Sequence, residues 1–300
     1  MINLSAYGGS HGGFIEEYYF ENDGSSQDSG TITVPANATL MGWIMCGGGG
    51  GGGGGRYGDS GEAGAGGGGG SGGAINTWCF ARCTPGASIA YLVGNGGAGG
   101  TGQNSTTYDS NWYYGSHGTA GTSTQLSGHM TCGGGGRGNR GGVNRGGNFS
   151  LGGSGGDAGL VTWNTTIVIA SDFWNRSTYE GDAHSGGQGL EWDTGEYTWD
   201  SDLHGGDNWG PYSGGGSASD VTPNSDQGNY CPGGGGAASP FSHGGRGAGR
   251  YNSTYAVAET PYIGAGGGGG SGGDNANGGV TNSKNGAKGG AGMLWVRFYK

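Results

Sequence analysis

The ten residues GAGGGGGSGG occupy positions 64–73 and recur letter for letter at 264–273; MCGGGGGGGGGRYG at 45–58 adds nine consecutive glycines, residues 47–55. The reading of these tracts decides the fold. Glycine loses more conformational freedom on folding than any other residue. A chain with 85 Gly among 300 residues therefore either leaves its tracts disordered or packs them in a way open only to glycine. Nine Trp and 16 Tyr favour packing, because flexible linkers rarely carry such large apolar groups. Seven Pro and the lack of a three-residue period exclude collagen.

A packed glycine tract can adopt an extended left-handed helix with three residues per turn and about 3.1 Å rise. Its N–H and C=O groups point outward and find no partner within the helix. Neighbouring backbones can pair them only where no Cβ holds them apart. The expected fold is mostly irregular/β: a packed array of polyglycine II helices with a few flanking β-strands, long variable loops and essentially no α-helix. A lattice of backbone hydrogen bonds would then replace much of a hydrophobic core, consistent with only 31% hydrophobic residues. No segment combines helix caps with a 3.6-residue apolar stripe.

Strand formers flank the tracts: residues 31–34 (TITV), 40–46 (LMGWIMC), 74–83, 88–93 and 293–299 (MLWVRFY). Pro35-Ala36-Asn37 reads as a turn between the first two. Thr84-Pro85-Gly86 reads as the turn of a hairpin joining 74–83 to 88–93. Residues 1–30 form an N-terminal arm for attachment or oligomer contact. Residues 31–300 form one glycine-rich domain with variable loops near 104–131, 157–213 and 250–263.

The net charge of −10 argues against nucleic acid or an anionic membrane as partner. No run approaches the roughly 18 apolar residues of a membrane span, and MINLSAYGGSHGG shows no signal-peptide pattern. Five cysteines in no regular framework read as reduced, packed thiols, with one or two disulfides as the alternative. No C-x-x-C points to zinc.

The order of features continues as polyglycine, GGSGG, a strand, the TPG turn, VGNGGAGG at 93–100, polar insertions, GAGGGGGSGG, and GGAG before a terminal apolar strand. With Val34-Pro35-Ala36 and Trp43 ahead of them, these anchors resemble the glycine-rich domains of bacteriophage tail-fibre and tail-tip proteins. The match is close over 31–100 and 264–300. The resemblance implies a sandwich of polyglycine helices that displays hypervariable loops to a host surface receptor, on a virion tail fibre or otherwise outside the cell.

The insertions suit such a role. Residues 172–207 carry nine carboxylates against the single base Arg176, interleaved with Trp and Tyr. Rings stack on the C–H faces of sugars and carboxylates accept their hydroxyls; the bland reading is a solvated loop with its rings packed on the glycine array. Tyr108, Trp112, Tyr113, Tyr114, Trp174, Trp192, Tyr197, Trp199 and Trp209 are the candidate receptor-binding residues. Asp200, Asp202 and Asp207 lack the twelfth-position acid of a calcium loop, since Pro211 stands there. CGGGGRGNRGGVNRGG at 132–147 resembles an RNA-binding arginine–glycine run, but its arginines read better as decorating a glycine helix and pairing with the acidic loop. No P-loop or nucleophile elbow occurs. No enzyme activity, cofactor or metal is expected.

The expected partners are a host surface glycan or outer-membrane protein, and a tail fibre or copies of the chain itself, with no nucleic acid and no membrane insertion. The competing reading is a self-assembling extracellular filament or surface layer. A third, an ice- or surface-binding face, requires a regular Thr or Ala array that is not evident in the sequence.

Overall fold

The structure, a computed structural model, describes residues 13–22, 28–56, 66–76, 78–103, 115–143, 150–151, 159–164, 168–171, 192–193, 196–197, 233–237, 239, 241–248, 258, 260–267, 269–270 and 283–300. Among them no helix occurs; the regular elements are antiparallel strands.

The C-terminal strand β14 (Met293–Tyr299) shows why a sheet forms at one end. Leu294, Val296 and Phe298 are buried, while Trp295, Arg297 and Tyr299 between them face outward. This period-two pattern gives the strand one core face. It is the second strand of a five-stranded sheet, between β1 (Phe14–Glu21) and β3 (Leu40–Cys46); β4 (Cys79–Arg82) and β11 (Val168–Ser171) follow on the far side of β3. A second sheet has the order β10 (Val161–Trp163), β7 (Met130–Cys132), β6 (Thr124–Leu126), β5 (Ser88–Val93) and β2 (Asp28–Thr33). The two inner faces share one core that includes Met41, Trp43, Met45, Leu294, Val296 and Phe298 from the first sheet and Ile32, Val93, Leu126 and Met130 from the second. A small third sheet joins β8 (Gly142–Val143), β9 (Ser150–Leu151), β12 (Trp192–Asp193) and β13 (Glu196–Tyr197).

The turn at Thr84-Pro85-Gly86 forms as the sequence indicates. The Ala87 N–H donates to the Thr84 carbonyl at 3.1 Å, and Gly86 takes φ 76°, which suits Gly after Pro. It does not close a hairpin. β4 pairs with β3, whereas β5 pairs with β2 and β6, so the turn carries the chain from one sheet to the other. Residues 34–39 cross in the same way between β2 and β3. The two crossings hydrogen-bond through Val34 N–H to Ala87 O, 2.8 Å, and Gly86 N–H to Val34 O, 2.9 Å. Paired crossings of this kind look like hairpins in sequence because a turn records a reversal, not a partner.

The N-terminal segment supplies β1, in register along β14 after an irregularity between Phe14 and Glu16. That shift breaks the alternation and hides the strand in sequence. Residues 115–131, within the span read as one loop, instead form a glycine segment followed by the β6–β7 hairpin.

Beyond the sandwich the glycine segments run side by side. Residues 47–55 stand at the centre, and their N–H groups turn through three neighbours in rotation. Gly47, Gly50 and Gly53 donate to Ala74, Ser71 and Gly68; Gly48, Gly51 and Gly54 to Thr122, Thr119 and Ser116; Gly49, Gly52 and Gly55 to Gly290, Ala287 and Lys284. These three neighbours run antiparallel. Three parallel neighbours fill the carbonyls: Gly135, Gly138 and Gly141 donate to residues 48, 51 and 54; Gly97, Gly100 and Gln103 to 49, 52 and 55; Gly267 and Gly270 to 50 and 53. Six segments therefore surround the central one, and two more, 233–237 and 244–248, extend the array beside 264–270. Such close approach requires glycine. A Cβ placed on Gly50 would overlap the Gly136 carbonyl oxygen, and one on Gly49 that of Ala265.

Candidate functional site

Sandwich and array share a defined junction. Thr124, fully buried, accepts the Gly94 N–H at 2.9 Å and donates to the Cys46 carbonyl at 2.6 Å. Asn76 acts as a short strand: its Oδ1 accepts the Met45 N–H at 2.7 Å, and its Nδ2 donates to the Trp43 carbonyl at 3.2 Å. Four described cysteines are free thiols. Burial pushes Cys46 up to about 12. Burial, then neighbouring Cys46 and Cys79, push Cys132 well above its ordinary value. Cys46 and Cys132, fully buried, serve as packing groups, since the reactive species is the thiolate.

The junction gives the array a polarity. Residues 46/47, 74/75, 93/94, 132/133 and 292/293 pass directly between strands, or their immediate flanks, and glycine segments at the near end. At the opposite, far end, Gly55 donates to Lys284, Gln103 to Gly55, Gly54 to Ser116 and Gly141 to Gly54. Gly67 with Gly270, and Gly233 with Ala248, complete that end. The chain leaves the array there after residues 56, 103, 141, 248 and 270, and re-enters there at 66, 115, 233 and 283.

This placement bears on each candidate residue. Tyr108, Trp112, Tyr113, Tyr114, Trp174, Trp199 and Trp209 lie outside the described residues. The first four fall between Gln103 and Gly115, both at the far end. Trp192 and Tyr197 are described as backbone and stand directly opposite each other in the β12–β13 pair. Their sheet includes β8, which begins at Gly142, one residue past the far-end hydrogen bond of Gly141. The β12–β13 pair is thus joined through β9 to the strand that leaves the array at its far end, while the insertion that carries it begins after Ser171 on β11, beside Cys79 of the first sheet.

The sides of the array are closed by hydroxyls that sequence reading missed. Ser116, Thr119 and Thr122 each donate an N–H to, and accept one through the side chain from, residues 101, 98 and 95. The Ala98 N–H to Thr119 Oγ1 distance is 2.7 Å. The three-residue Ser/Thr spacing was the available signal. It is a regular exposed array, but its hydroxyls are engaged by the backbone beneath it.

Among the described side chains charge is segregated. On the array the described charged and imidazole side chains are Arg56, His117, Arg137, Arg140, His243, Arg246, Lys284 and Lys288, all basic. The described carboxylate side chains, Glu16, Glu17, Glu21 and Asp28, lie on β1 and β2. Glu17 holds Arg297 at 2.8 Å beneath the exposed face of the first sheet, with the guanidinium 4.4 Å from the Trp295 ring. A shallow recess at the outer end of the sandwich is lined by Glu16, Tyr18, residues 33–36, Pro85 and Gly86. Among the described residues no group of three His, Cys, Asp or Glu could hold a metal ion, and no helix is long and apolar enough to cross a membrane.

Comparison with curated proteins gave no match. Comparison with protein families gave one described as a glycine-rich domain, matched over residues 23–299.

Proposed function

We propose, for a chain that belongs to the glycine-rich domain family, a non-enzymatic adhesion role in which a rigid glycine array presents variable insertions from one end to a host surface receptor. The single observation that carries this reading is that the chain leaves the array at the far end, opposite the sandwich, after residues 56, 103, 141, 248 and 270. A binding surface assembled from several loops needs a scaffold that fixes their ends together. The 104–114 insertion is tied to that end by chain connectivity, and Trp192 and Tyr197 are related to it by strand pairing through β9 to β8.

The segments themselves read as polyglycine II helices in hexagonal packing. Support comes from the three-residue rotation of partners around residues 47–55, matching a helix of three residues per turn. The wider setting we favour is the tip of a phage-like tail fibre at the virion surface, with a glycan or outer-membrane protein as receptor.

The filament alternative would need the array to grow sideways. Its outward rows carry side chains: Asn95, Ala98 and Thr101; Ser116, Thr119 and Thr122; His243 and Arg246. Each Cβ keeps a further glycine segment out of hydrogen-bonding reach, so the filament reading is the weaker one.

Adsorption to a panel of bacterial strains tests the proposal. Replacement of Trp112, Trp192 and Trp199 together by Ala should abolish adsorption while the melting temperature holds. Unchanged adsorption refutes the loop assignment, and long filaments of the purified protein in electron micrographs would refute the adhesin reading.

A further inference from the structure

We propose that the outer face of the first sheet binds a neutral polysaccharide of β-linked, glucose-type pyranose rings. This face lies on the sandwich, apart from the array and the insertions that leave its far end. The alternation that buries Leu294, Val296 and Phe298 turns Trp295, Arg297 and Tyr299 to the opposite side. The strand register sets Glu17 of β1 beside Arg297, with Gly42 of β3 and then Phe80 of β4 on its other flank. Five rings, those of Phe14, Tyr299, Phe80, Trp78 and Trp295, follow one another at centroid separations of 5.5 to 6.4 Å. The Arg297 guanidinium sits among them, 4.4 Å from the Trp295 ring centre, 5.4 Å from Trp78 and 5.9 Å from Phe14. Glu17 completes the arc: its Oε2 accepts the Arg297 Nε–H at 2.8 Å and the Trp295 Nε1–H at 3.2 Å. Gly42 is the floor. A Cβ there would lie 2.7 Å from the Phe80 ring and 3.4 Å from Trp78. Glycine weakens a strand interior, and here it frees the space that the two rings occupy.

The fold leaves this face open. Phe14 is 58% exposed, and Tyr19, opposite Trp295, is 52% exposed; Trp78, Phe80, Trp295, Arg297 and Tyr299 are half-buried. A sheet face turned to water ordinarily carries polar side chains, and contiguous exposed apolar patches mark contact sites. Arg297 is already neutralised by Glu17, so it offers hydrogen bonds without calling for an anion. Glucose-type sugars hold their hydroxyls equatorial, which leaves the ring faces apolar. Those faces suit stacking on Phe14, Tyr19 or Trp295, while Arg297 N–H groups and Glu17 meet hydroxyls at the ring edge. The four strands that carry these side chains span about 15 Å and residues 295–299 about 14 Å, a face of roughly 300 Å² with side-chain margins. A second copy seated on it would bury about 600 Å² in total, short of the roughly 1,200 Å² of a stable pair. A few sugar rings laid across the strands match the size.

Isothermal titration of the whole protein with cellohexaose, N-acetylchitohexaose and dextran sulfate, with tryptophan emission followed in parallel, tests the site. Wild type should bind at least one of the two neutral hexasaccharides, with a change in emission, and should bind dextran sulfate more weakly. Phe14→Ser and, separately, Tyr19→Ser should each weaken that binding about tenfold at an unchanged melting temperature, because both rings are mostly exposed. Phe14→Trp should retain it. Absence of binding to both neutral hexasaccharides, tighter binding of dextran sulfate, or equal binding by both Ser variants overturns the proposal. So does a dimer in sedimentation that Phe14→Ser dissociates, since the face would then belong to a second copy.

Discussion

Replacing Gly50 by Ala adds one methyl group at the centre of the array. In an unconstrained position the change would stabilise the protein by about 0.4–1 kcal/mol through the unfolded chain. At Gly50 the new Cβ overlaps the Gly136 carbonyl oxygen and comes within 2.6 Å of its carbon and 3.0 Å of the Gly135 oxygen. All three obstacles are backbone, so no side chain can rotate aside. Relief requires residues 133–141 to move outward by about 1 Å or more, against packing with few voids. That motion stretches Gly135 N–H to Gly48 O and Gly138 N–H to Gly51 O, both 2.8 Å, and Ser71 N–H to Gly136 O, 3.1 Å. Each buried group left unsatisfied costs about 1–3 kcal/mol, so partial loss of two or three bonds gives a net destabilisation on the order of 4 kcal/mol. For a chain of this size that lowers the melting temperature by roughly 10 °C. Differential scanning calorimetry of Gly50→Ala beside Gly13→Ala, where a Cβ meets nothing within 4 Å, isolates the effect. A Gly50→Ala protein that melts within about 2 °C of wild type would refute the packed array at that position.

Other consequences can be checked in the same way. Thr119→Val removes the acceptor of the Ala98 N–H at an exposed rim and should cost about 1 kcal/mol, read as a shift in the urea midpoint. Asn76→Ala strands the buried Met45 N–H and Trp43 carbonyl and should cost about 3 kcal/mol, read from thermal melts. Cys46 and Cys132 should resist thiol reagents in the native state and react only on unfolding, counted by mass spectrometry. The raised Cys46 pKa has a definite sign: below about pH 9 its thiol is protonated in both states, whereas above it the unfolded thiol ionises first. Stability should therefore fall from about pH 9 toward the folded value of about 12, and Cys46→Ala should flatten part of that slope in urea titrations.

Much of the sandwich was legible in sequence. Residues 40–46, 88–93 and 293–299 carry enough apolar and β-branched side chains to declare themselves as strands, and the structure gives them those same limits. The sheet partners were not legible, because the turns at 35–37 and 84–86 reverse the chain between sheets instead of within one. The array was legible only as a requirement that glycine be packed. Glycine has no side chain to mark a face, so nothing in residues 47–55 says which donor meets Ser71 and which meets Thr119. That phase is set where the segments join the strands, through Thr124 and Asn76, which read as ordinary polar residues until their partners are known. The candidate site divides similarly. The aromatic insertions stand out by composition, while the end of the molecule from which they emerge depends on the array.

The central position of residues 47–55 and the interior position of β14 have a consequence for how the chain reaches its native state. Gly48 needs Gly135 and Thr122, and Gly49 needs Gly290, while β14 fills the gap between β1 and β3. Almost every partner is remote along the chain, a topology that slows folding because loops must close before contacts reward them. During synthesis, residues up to 280 can emerge with both the strand that joins β1 to β3 and one side of the central glycine segment still missing. Residues 283–299 act as a keystone: a ribosome-stalled chain ending before residue 283 should remain sensitive to protease, and one that includes them outside the ribosome should gain resistance in one step.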